Sequence, residues 1–389
     1  MTVLIAGYAR TPFTKFTGQL SAQPATVLGA HAVKAALKNA GVAPEQVERV
    51  VVGQVLQAGA GQNPARQTAI GAGIPMQVPA VTVNAVCLSG AEAVADATRL
   101  INSGEAEIAV AVGQESMSLA PHVVQMRAGT KYGPVTMLDT ADHDGLTDAF
   151  DGVAMGKLTE EGNPARSLTR EQQDEVAAAS HQRAAQSTAF FAEEIAPFTV
   201  TSRRGDTVVD ADDGIRADTT VESLGKLRPA FEKDGTITAG NASQITDGAA
   251  ALVLVSEKAA AELGLKPLAK VEAHALVAGP DTSLHNQPAN AIEAALAKIG
   301  ATAAELVVAE INEAFAAVAV ASTDQLGIDP SIVNPHGGAI ALGHPIGASG
   351  ARLVGTLARQ LVERGAGALG AAALCGGGGQ GSAIILRAL

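Results

Sequence analysis

The sequence of 389 residues is poor in aromatic side chains, with no tryptophan, two tyrosines and eight phenylalanines. Apolar residues still make up 47% of the chain, and 42 residues are glycine, so its core must be built largely from small aliphatic side chains. This composition argues against disorder and favours helices packed closely on a sheet. Because a chain of this length exceeds a single hydrophobic core, we expect two or three domains.

Cysteine is equally scarce, since Cys87 and Cys375 are the only two in the chain. Two cysteines cannot make a disulfide framework, and their spacing matches no zinc site. We therefore expect no bound metal and a reducing, cytoplasmic location.

Positively charged residues are fewer than negatively charged ones. The chain has 27 Lys and Arg residues and 39 Asp and Glu residues, which gives a formal net charge of −12. This excess of negative charge disfavours nucleic acid and anionic membranes as partners. The alanine-rich stretch at 315–321 closely follows Glu310 and Glu313, so we predict no membrane span. Residues 1–7 are predicted to form a strand and do not have the pattern of a signal peptide.

Two parts of the chain share a local pattern. A helical segment at 32–37 that ends at Gly41 matches a segment at 291–296 that ends at Gly300, and each precedes a β-branched strand. Ser-Gly-Ala also recurs, at 89–91 and 349–351, and a helix is predicted after each copy. Duplication explains these matching offsets better than a general likeness among α/β chains. The alternation predicts an α/β fold with a mainly parallel sheet and helices on its faces.

Residues 119–245 have no counterpart in the other half of the chain. The segment is more polar and rich in turns, which is typical of an inserted loop domain. We predict an N-terminal half at 1–118, completed by about 246–268, then the insertion at 119–245 and a C-terminal half at 269–389.

Three segments place reactive side chains in tight turns. Cys87 lies in Val-Cys-Leu-Ser-Gly, between a predicted strand at 80–83 and a helix whose exposed N–H groups and dipole would favour a thiolate. Such a sharp strand-to-helix turn exposes an attacking atom. His344 precedes a proline, which makes its loop rigid. Cys375 ends a strand and begins the run Cys-Gly-Gly-Gly-Gly-Gln-Gly.

All three segments resemble the signatures of the thiolase family, and the resemblance runs nearly end to end. It implies two βαβαβαββ-type halves packed into five αβαβα layers, with the inserted loop domain covering the active site. A homotetramer built from dimers is also implied. The implied activity is that of an acetyl-CoA C-acetyltransferase, with acyl-CoA as substrate, coenzyme A as product and no tightly bound cofactor. A degradative 3-ketoacyl-CoA thiolase of broader range is the alternative.

The resemblance also assigns catalytic roles. Cys87 is the nucleophile, His344 is its base, and Cys375 is the acid/base that moves a proton at the substrate α-carbon. The backbone N–H groups of Cys87 and Gly377 form one oxyanion hole. Asn312 orients a water that forms the other together with His344. A helix cap is a second interpretation of Asn312, compatible with the first.

Seven residues are expected to contact coenzyme A or the acyl group by the same resemblance. They are Arg216 and Ser223 near the nucleotide, Phe231 as an apolar wall, Ser243 beside the pantetheine arm, Leu146 and Met155 in the tunnel, and Phe315. One position departs from the family pattern: many short-chain biosynthetic members have His where this chain has Ala154. That change removes a polar partner and leaves the acyl length open.

Three other functions can be weighed against these motifs. Gly59 and Gly61 lack the third glycine of a dinucleotide-binding fingerprint, which argues against a Rossmann oxidoreductase. A Cys–His hydrolase would need neither Cys375 nor a covered tunnel. A catalytically silent coenzyme A-binding protein is disfavoured because every matched catalytic position is present.

Overall fold

A computed structural model describes residues 2–203 and 205–389. Met1, the first residue of the predicted opening strand, lies outside the described residues. The helices and strands of the N-terminal part are β1 Val3–Arg10, β2 Thr14–Lys15, α1 Ala25–Ala40, β3 Arg49–Gly53, α2 Pro64–Gly71, β4 Ala80–Val83, α3 Ser89–Asn102 and β5 Ile108–Ser116.

The following segment consists of short elements. They are β6 His122–Val123, β7 Leu138–Asp139, a π-helical turn at Ala141–Leu146, α4 Met155–Gly162, α5 Arg170–Gln186, α6 Thr188–Glu194, β8 Phe198–Val200, β9 Thr207–Val209 and α7 Val221–Gly225. The remaining elements are β10 Thr246–Ser256, α8 Glu257–Leu263, β11 Ala269–Ala278, α9 Gln287–Ala297, β12 Leu306–Ile311, α10 Ala316–Leu326, α11 Ala339–Leu342, α12 Ser349–Val362, β13 Leu369–Gly376 and β14 Gln380–Ala388.

One ten-stranded sheet runs through the molecule in the order β12-β13-β14-β11-β1-β10-β5-β3-β4, with β2 paired to β10. Its two halves join where Val3 to Ile5 of β1 pair with β11 in antiparallel register. Corresponding strands hold corresponding places on either side of this junction. β1 matches β11, β3 matches β12, β5 matches β13 and β10 matches β14. The duplication seen in the sequence is therefore present in the topology.

The prediction of a mainly parallel sheet is wrong. Within the part of the chain that the structure describes, β3 with β4, β3 with β5, and β12 with β13 pair in parallel, while the other named pairs of this sheet are antiparallel. The reason lies in the connections. Strands joined through a crossing helix run parallel, whereas β14 follows β13 by a tight turn and β10 returns from the inserted segment.

Helices cover both faces of the sheet and lie between its halves. α1 and α2 pack on the outer face of the N-terminal half, and α9 packs on the outer face of the C-terminal half. α3 and α12 pack against each other between the halves, in a core cluster with residues from both. This arrangement gives the five αβαβα layers that the family resemblance implied.

The central helices α3 and α12 touch where the repeated Ser-Gly-Ala occurs. A Cβ atom on Gly90 would lie 2.7 Å from the backbone nitrogen of Ala351, and one on Gly350 would lie 2.3 Å from that of Ala91. Both distances are far below van der Waals contact, so the close approach requires glycine on each helix. The beginnings of the two helices, and the turns that precede them, are thereby held together.

The segment between β5 and β10 contributes no strand to the ten-stranded sheet among the residues that the structure describes. Buried Arg10 of β1 attaches it to the sheet: its Nη1 and Nη2 donate to Asp212 over 2.7 and 2.8 Å, and its Nε donates to Glu194 over 3.0 Å. β5 ends at Ser116 and β10 begins at Thr246. The domain limits 118/119 and 245/246 stay a prediction. No helix within the described part of the chain has the length and apolar character to cross a membrane.

Candidate active site

Cys87 lies in a strained turn between β4 and α3. The preceding Val86 has φ of 51°, a left-handed conformation that is unfavourable for a β-branched residue. Three hydrogen bonds hold the turn: Val86 N donates to Asn84 Oδ1 over 2.9 Å, Ala85 N donates to Ser89 Oγ over 2.9 Å, and Ser89 Oγ donates to Val86 O over 2.6 Å. The strained backbone is therefore over-determined by its neighbours, as a nucleophile elbow requires.

Backbone N–H groups favour the thiolate of Cys87, as the sequence predicts, but burial has the larger effect on its pKa. Burial raises the pKa of this thiol to about 12, although hydrogen bonds from the backbone N–H groups of Gly377 and Cys87 itself act in the opposite direction. The helix begins only at Ser89, so Cys87 precedes it by two residues, and the desolvation of a charged sulfur outweighs the nearby N–H dipoles. Cys87 is a neutral thiol at physiological pH.

His344 is almost fully buried on the loop between α11 and α12. Its Nδ1 lies 2.6 Å from Ser349 Oγ, and its Nε2 lies 3.5 Å from Asn312 Nδ2, the length of a weak hydrogen bond. Burial, and after it the positive charge of Arg352, lowers the pKa of His344 to about 3. The imidazole is therefore neutral and has a lone pair with which to accept a proton.

Cys375 lies near the end of β13 and is 1% exposed. Burial raises the pKa of its thiol far above the ordinary value, and the neighbouring Cys87 raises it further. One of the glycines after it, Gly379, is required by close backbone approach. A Cβ atom on Gly379, which has φ of 66°, would lie 1.9 Å from Asp281 O. Cys375 is thus a neutral thiol on a rigid turn.

Asn312 is fully buried, and its backbone N–H donates to Ala373 O of β13 over 2.9 Å. The interpretation of Asn312 as a helix cap is wrong, because α10 begins at Ala316 with Phe315 as its N-cap residue. Asn312 Oδ1 has no hydrogen-bond partner among the described residues. A buried acceptor of this kind is costly unless a ligand or water pairs with it, so its position beside His344 fits a role in binding.

A cavity of about 600 Å³ brings most of the predicted residues together. Its lining includes Cys87, His344, Cys375 and Gly377 of the predicted catalytic set, and Arg216, Phe231, Ser243, Leu146, Met155 and Phe315 of the predicted substrate contacts. Ser223 does not line it. That side chain is exposed on α7, where its Oγ donates to Thr220 O over 2.8 Å. A contact of Ser223 with the nucleotide stays a prediction.

The structure adds lining residues that the sequence did not indicate. Leu284 is 3% exposed and packs beside Cys375, together with Ala314 and Val318. Lys15 and Phe16 reach the cavity from the N-terminal region, and Met117 and Ile346 complete its wall. No local pattern marks these residues, because each is brought to the cavity by long-range packing.

Comparison with known proteins agrees with this geometry along the whole chain. Residues 3–258 match the family model described as "Thiolase, N-terminal domain", and residues 265–388 match "Thiolase, C-terminal domain". The probable acetyl-CoA acetyltransferase of Mycolicibacterium smegmatis is 54% identical over 389 residues, which cover 99% of this chain and 100% of the relative. The acetyl-CoA acetyltransferase of Rhizobium meliloti is 48% identical over 390 residues, covering 100% of this chain and 99% of the relative.

Solved structures give the same result. The crystal structure of the Bacillus anthracis acetyl-CoA acetyltransferase has a TM-score of 0.96 at 38% identity, covering 100% of this chain and 99% of that one. The crystal structure of human mitochondrial 3-ketoacyl-CoA thiolase has a TM-score of 0.95 at 37% identity, covering 100% of this chain and 98% of that one. The fold, the two family matches and the relatives agree, and this chain belongs to the thiolase family of acyltransferases.

Proposed function

We propose that this chain is an acetyl-CoA C-acetyltransferase, which joins two molecules of acetyl-CoA into acetoacetyl-CoA and coenzyme A by a reversible ping-pong reaction. The convergence of two neutral thiols and one neutral imidazole on a single cavity carries the proposal. Acyl transfer to carbon needs a nucleophile to hold the acyl group and a separate base for the α-proton. Relatives named acetyl-CoA acetyltransferase, at 48% and 54% identity, support the same activity.

In the first half-reaction His344 Nε2 takes the proton of Cys87, and the sulfur attacks the thioester carbonyl of acetyl-CoA. The tetrahedral intermediate expels the thiolate of coenzyme A, which takes the proton of Cys375. The acetyl-enzyme then holds a protonated His344 and a Cys375 thiolate. Cys375 has a proton to donate, because burial keeps it a thiol in the free protein.

In the second half-reaction the Cys375 thiolate removes an α-proton from a second acetyl-CoA. The resulting enolate attacks the acetyl carbonyl on Cys87, and the carbon–sulfur bond breaks. The departing Cys87 sulfur takes back the proton held by His344, so all three groups return to their starting protonation states. Thiolysis is the same sequence in reverse.

Negative charge develops on oxygen in both half-reactions, and hydrogen-bond donors must already face it. The backbone N–H groups of Gly377 and Cys87 lower the pKa of the Cys87 thiol by hydrogen bonding, and we assign them to the oxygen of the acyl group bound there. We assign the enolate oxygen to His344 and to a water held by Asn312. The unpaired buried Oδ1 of Asn312 supports this water.

The wall beside Cys375 favours a short acyl group. Met155, Leu284 and Phe315 pack against the same small cluster as the thiol, so little space is left for a longer chain there. Ala154 also lines the cavity, and its short side chain supports the alternative of a broader-range 3-ketoacyl-CoA thiolase.

The rest of the cavity would hold coenzyme A. We assign Arg216 to its phosphates, Phe231 and Ser243 to the pantetheine arm, and Ser223 to the nucleotide beyond the mouth. Leu146 completes the tunnel. We also propose a homotetramer in the cytoplasm, to be tested by light scattering and cell fractionation.

Intact-protein mass spectrometry after mixing with acetyl-CoA tests the nucleophile. The wild-type protein should gain one acetyl group with a burst of coenzyme A, and Cys87→Ala should gain none. Acetylation of Cys87→Ala at the wild-type rate would remove Cys87 from the role.

Thiolysis of a series of 3-oxoacyl-CoA chain lengths tests the substrate. Acetoacetyl-CoA should be the best, with kcat/KM falling roughly tenfold or more for each added two-carbon unit. A rise in kcat/KM from the four-carbon to the eight-carbon substrate would instead identify a broad-range degradative thiolase.

A further inference from the structure

The Nδ1 edge of the His344 ring makes a contact that the proposed reaction does not use. His344 Nδ1 lies 2.6 Å from Ser349 Oγ, and Ser349 Oγ donates to Pro345 O over 3.1 Å. Ser349 is the first residue of α12 and is 1% exposed. No solvent therefore competes for either bond.

The donors and acceptors around the ring assign its proton. The Ser349 hydroxyl has one hydrogen, which it donates to Pro345 O beside the backbone N–H groups of Ala348 and Ser349. With the hydrogen placed there, the hydroxyl oxygen accepts from Nδ1–H. At the opposite end, the Asn312 Nδ2 amide is a donor and faces Nε2 over 3.5 Å, so Nε2 presents a lone pair. Both ends of the ring indicate the same tautomer.

We propose that Ser349 is a positioning residue that fixes His344 as the Nδ1–H tautomer, so that Nε2 is free to take the Cys87 proton. The inference rests on the proposed function, in which His344 is the base for Cys87. The choice of tautomer matters because burial holds the pKa of His344 at about 3. The ring is neutral, and only one of its two nitrogens can act as a base.

The N-terminal half of the fold contains a corresponding hydrogen-bonding arrangement. Ser89, the first residue of α3, accepts from Ala85 N and donates to Val86 O, and so supports the Cys87 turn. Ser349 likewise accepts from one group and donates to a backbone carbonyl of the preceding loop. The same residue at equivalent helix starts supports the nucleophile in one half and the base in the other.

Three variants separate this role from simple structural support. Ser349→Ala removes the hydroxyl, and Ser349→Thr keeps it. Ser322→Ala is the matched control, since Ser322 is equally buried on a helix and its Oγ donates to His285 O over 2.8 Å. The acylation rate constant is measured in single turnover with acetyl-CoA, together with its dependence on acetyl-CoA concentration.

Ser349→Ala should acylate at least about tenfold more slowly at saturating acetyl-CoA, because general-base assistance contributes about 10²–10⁴-fold. The concentration at half-saturation should not change. Ser349→Thr should recover most of the rate, and Ser322→Ala should match the wild type. Equal rates for Ser349→Ala and Ser322→Ala would overturn the proposal.

The tautomer is measured directly by nitrogen NMR of the free wild-type enzyme labelled at histidine, with the His344 signals assigned by their loss in His344→Asn. A proton on Nδ1 supports the proposal, and a proton on Nε2 overturns it. This measurement needs no active enzyme, so it decides the matter even if Ser349→Ala does not fold. Failure of the wild type to become acetylated would refute the proposed function separately.

Discussion

Replacing Leu284 with alanine should change which substrate this enzyme prefers. The side chain is 3% exposed and packs in the same cluster as Cys375, Met155 and Phe315. Its removal leaves space beside the reacting carbon for roughly two further methylene groups. Because an apolar pocket discriminates each methylene by about 1–3 kcal/mol, the ratio of kcat/KM for 3-oxohexanoyl-CoA to that for acetoacetyl-CoA should rise at least about tenfold.

The assay is thiolysis of the two substrates, with melting temperature followed in parallel. Leu284→Ala should also lose about 2–5 kcal/mol of folding stability, the usual range for truncating a buried leucine. Leu263→Ala is the matched control, because Leu263 is 40% exposed and lies on α8, and it should change neither the ratio nor the melting temperature appreciably. An unchanged substrate ratio in a folded, destabilised Leu284→Ala protein would refute the placement of the acyl chain against this residue.

Three further outcomes are expected. Cys375→Ala should still be acetylated on Cys87, but more slowly because the departing coenzyme A loses its proton donor, and it should not condense, as measured by intact mass and by acetoacetyl-CoA formation; near-normal condensation would rule out the α-proton role. The rate of Cys87 alkylation by iodoacetamide should rise about tenfold for each pH unit between about pH 7 and pH 9, because burial raises the pKa of this thiol to about 12. A rate that reaches a plateau below pH 8 would contradict that shift. Gly350→Ala should melt at a clearly lower temperature than the wild type, since its Cβ would lie 2.3 Å from the backbone of Ala91; Gly225→Ala, also on a helix but with open space around the added Cβ, is the control and should melt near the wild-type temperature.

The turns that contain Cys87, His344 and Cys375 were predictable because their residue types leave few alternatives. A cysteine before a helix, a histidine before a proline and a cysteine before four glycines each have local conformations that only a few residue types allow. Their protonation states were not predictable in this way. The helix beside Cys87 suggested a thiolate, whereas burial by atoms distant in sequence determines its pKa.

For the sheet and the cavity wall, too, the local features were predictable from the sequence and the features set by long-range packing were not. The alternation of strands and helices predicted the α/β class, since each element carries its own periodicity. It did not predict the antiparallel pairing of β10 with β1 and β5, because the pairing depends on where the chain returns after the inserted segment. Leu284 was also missed, since nothing near it in the sequence distinguishes it from any other core leucine.

The contact of Gly90 and Gly350 with the opposite helix has a consequence for hybrid enzymes. Cys87, the proposed nucleophile, belongs to the half that contains α3, and His344, the proposed base, belongs to the half that contains α12. A chimera that joins halves from two relatives therefore has to reproduce this backbone-to-backbone contact before Cys87 and His344 can face each other. A single methyl group at either glycine would force the starts of α3 and α12 apart without changing the side chain of Cys87 or His344. We therefore expect the fit between the two halves, as well as the motifs, to determine which recombinants are active.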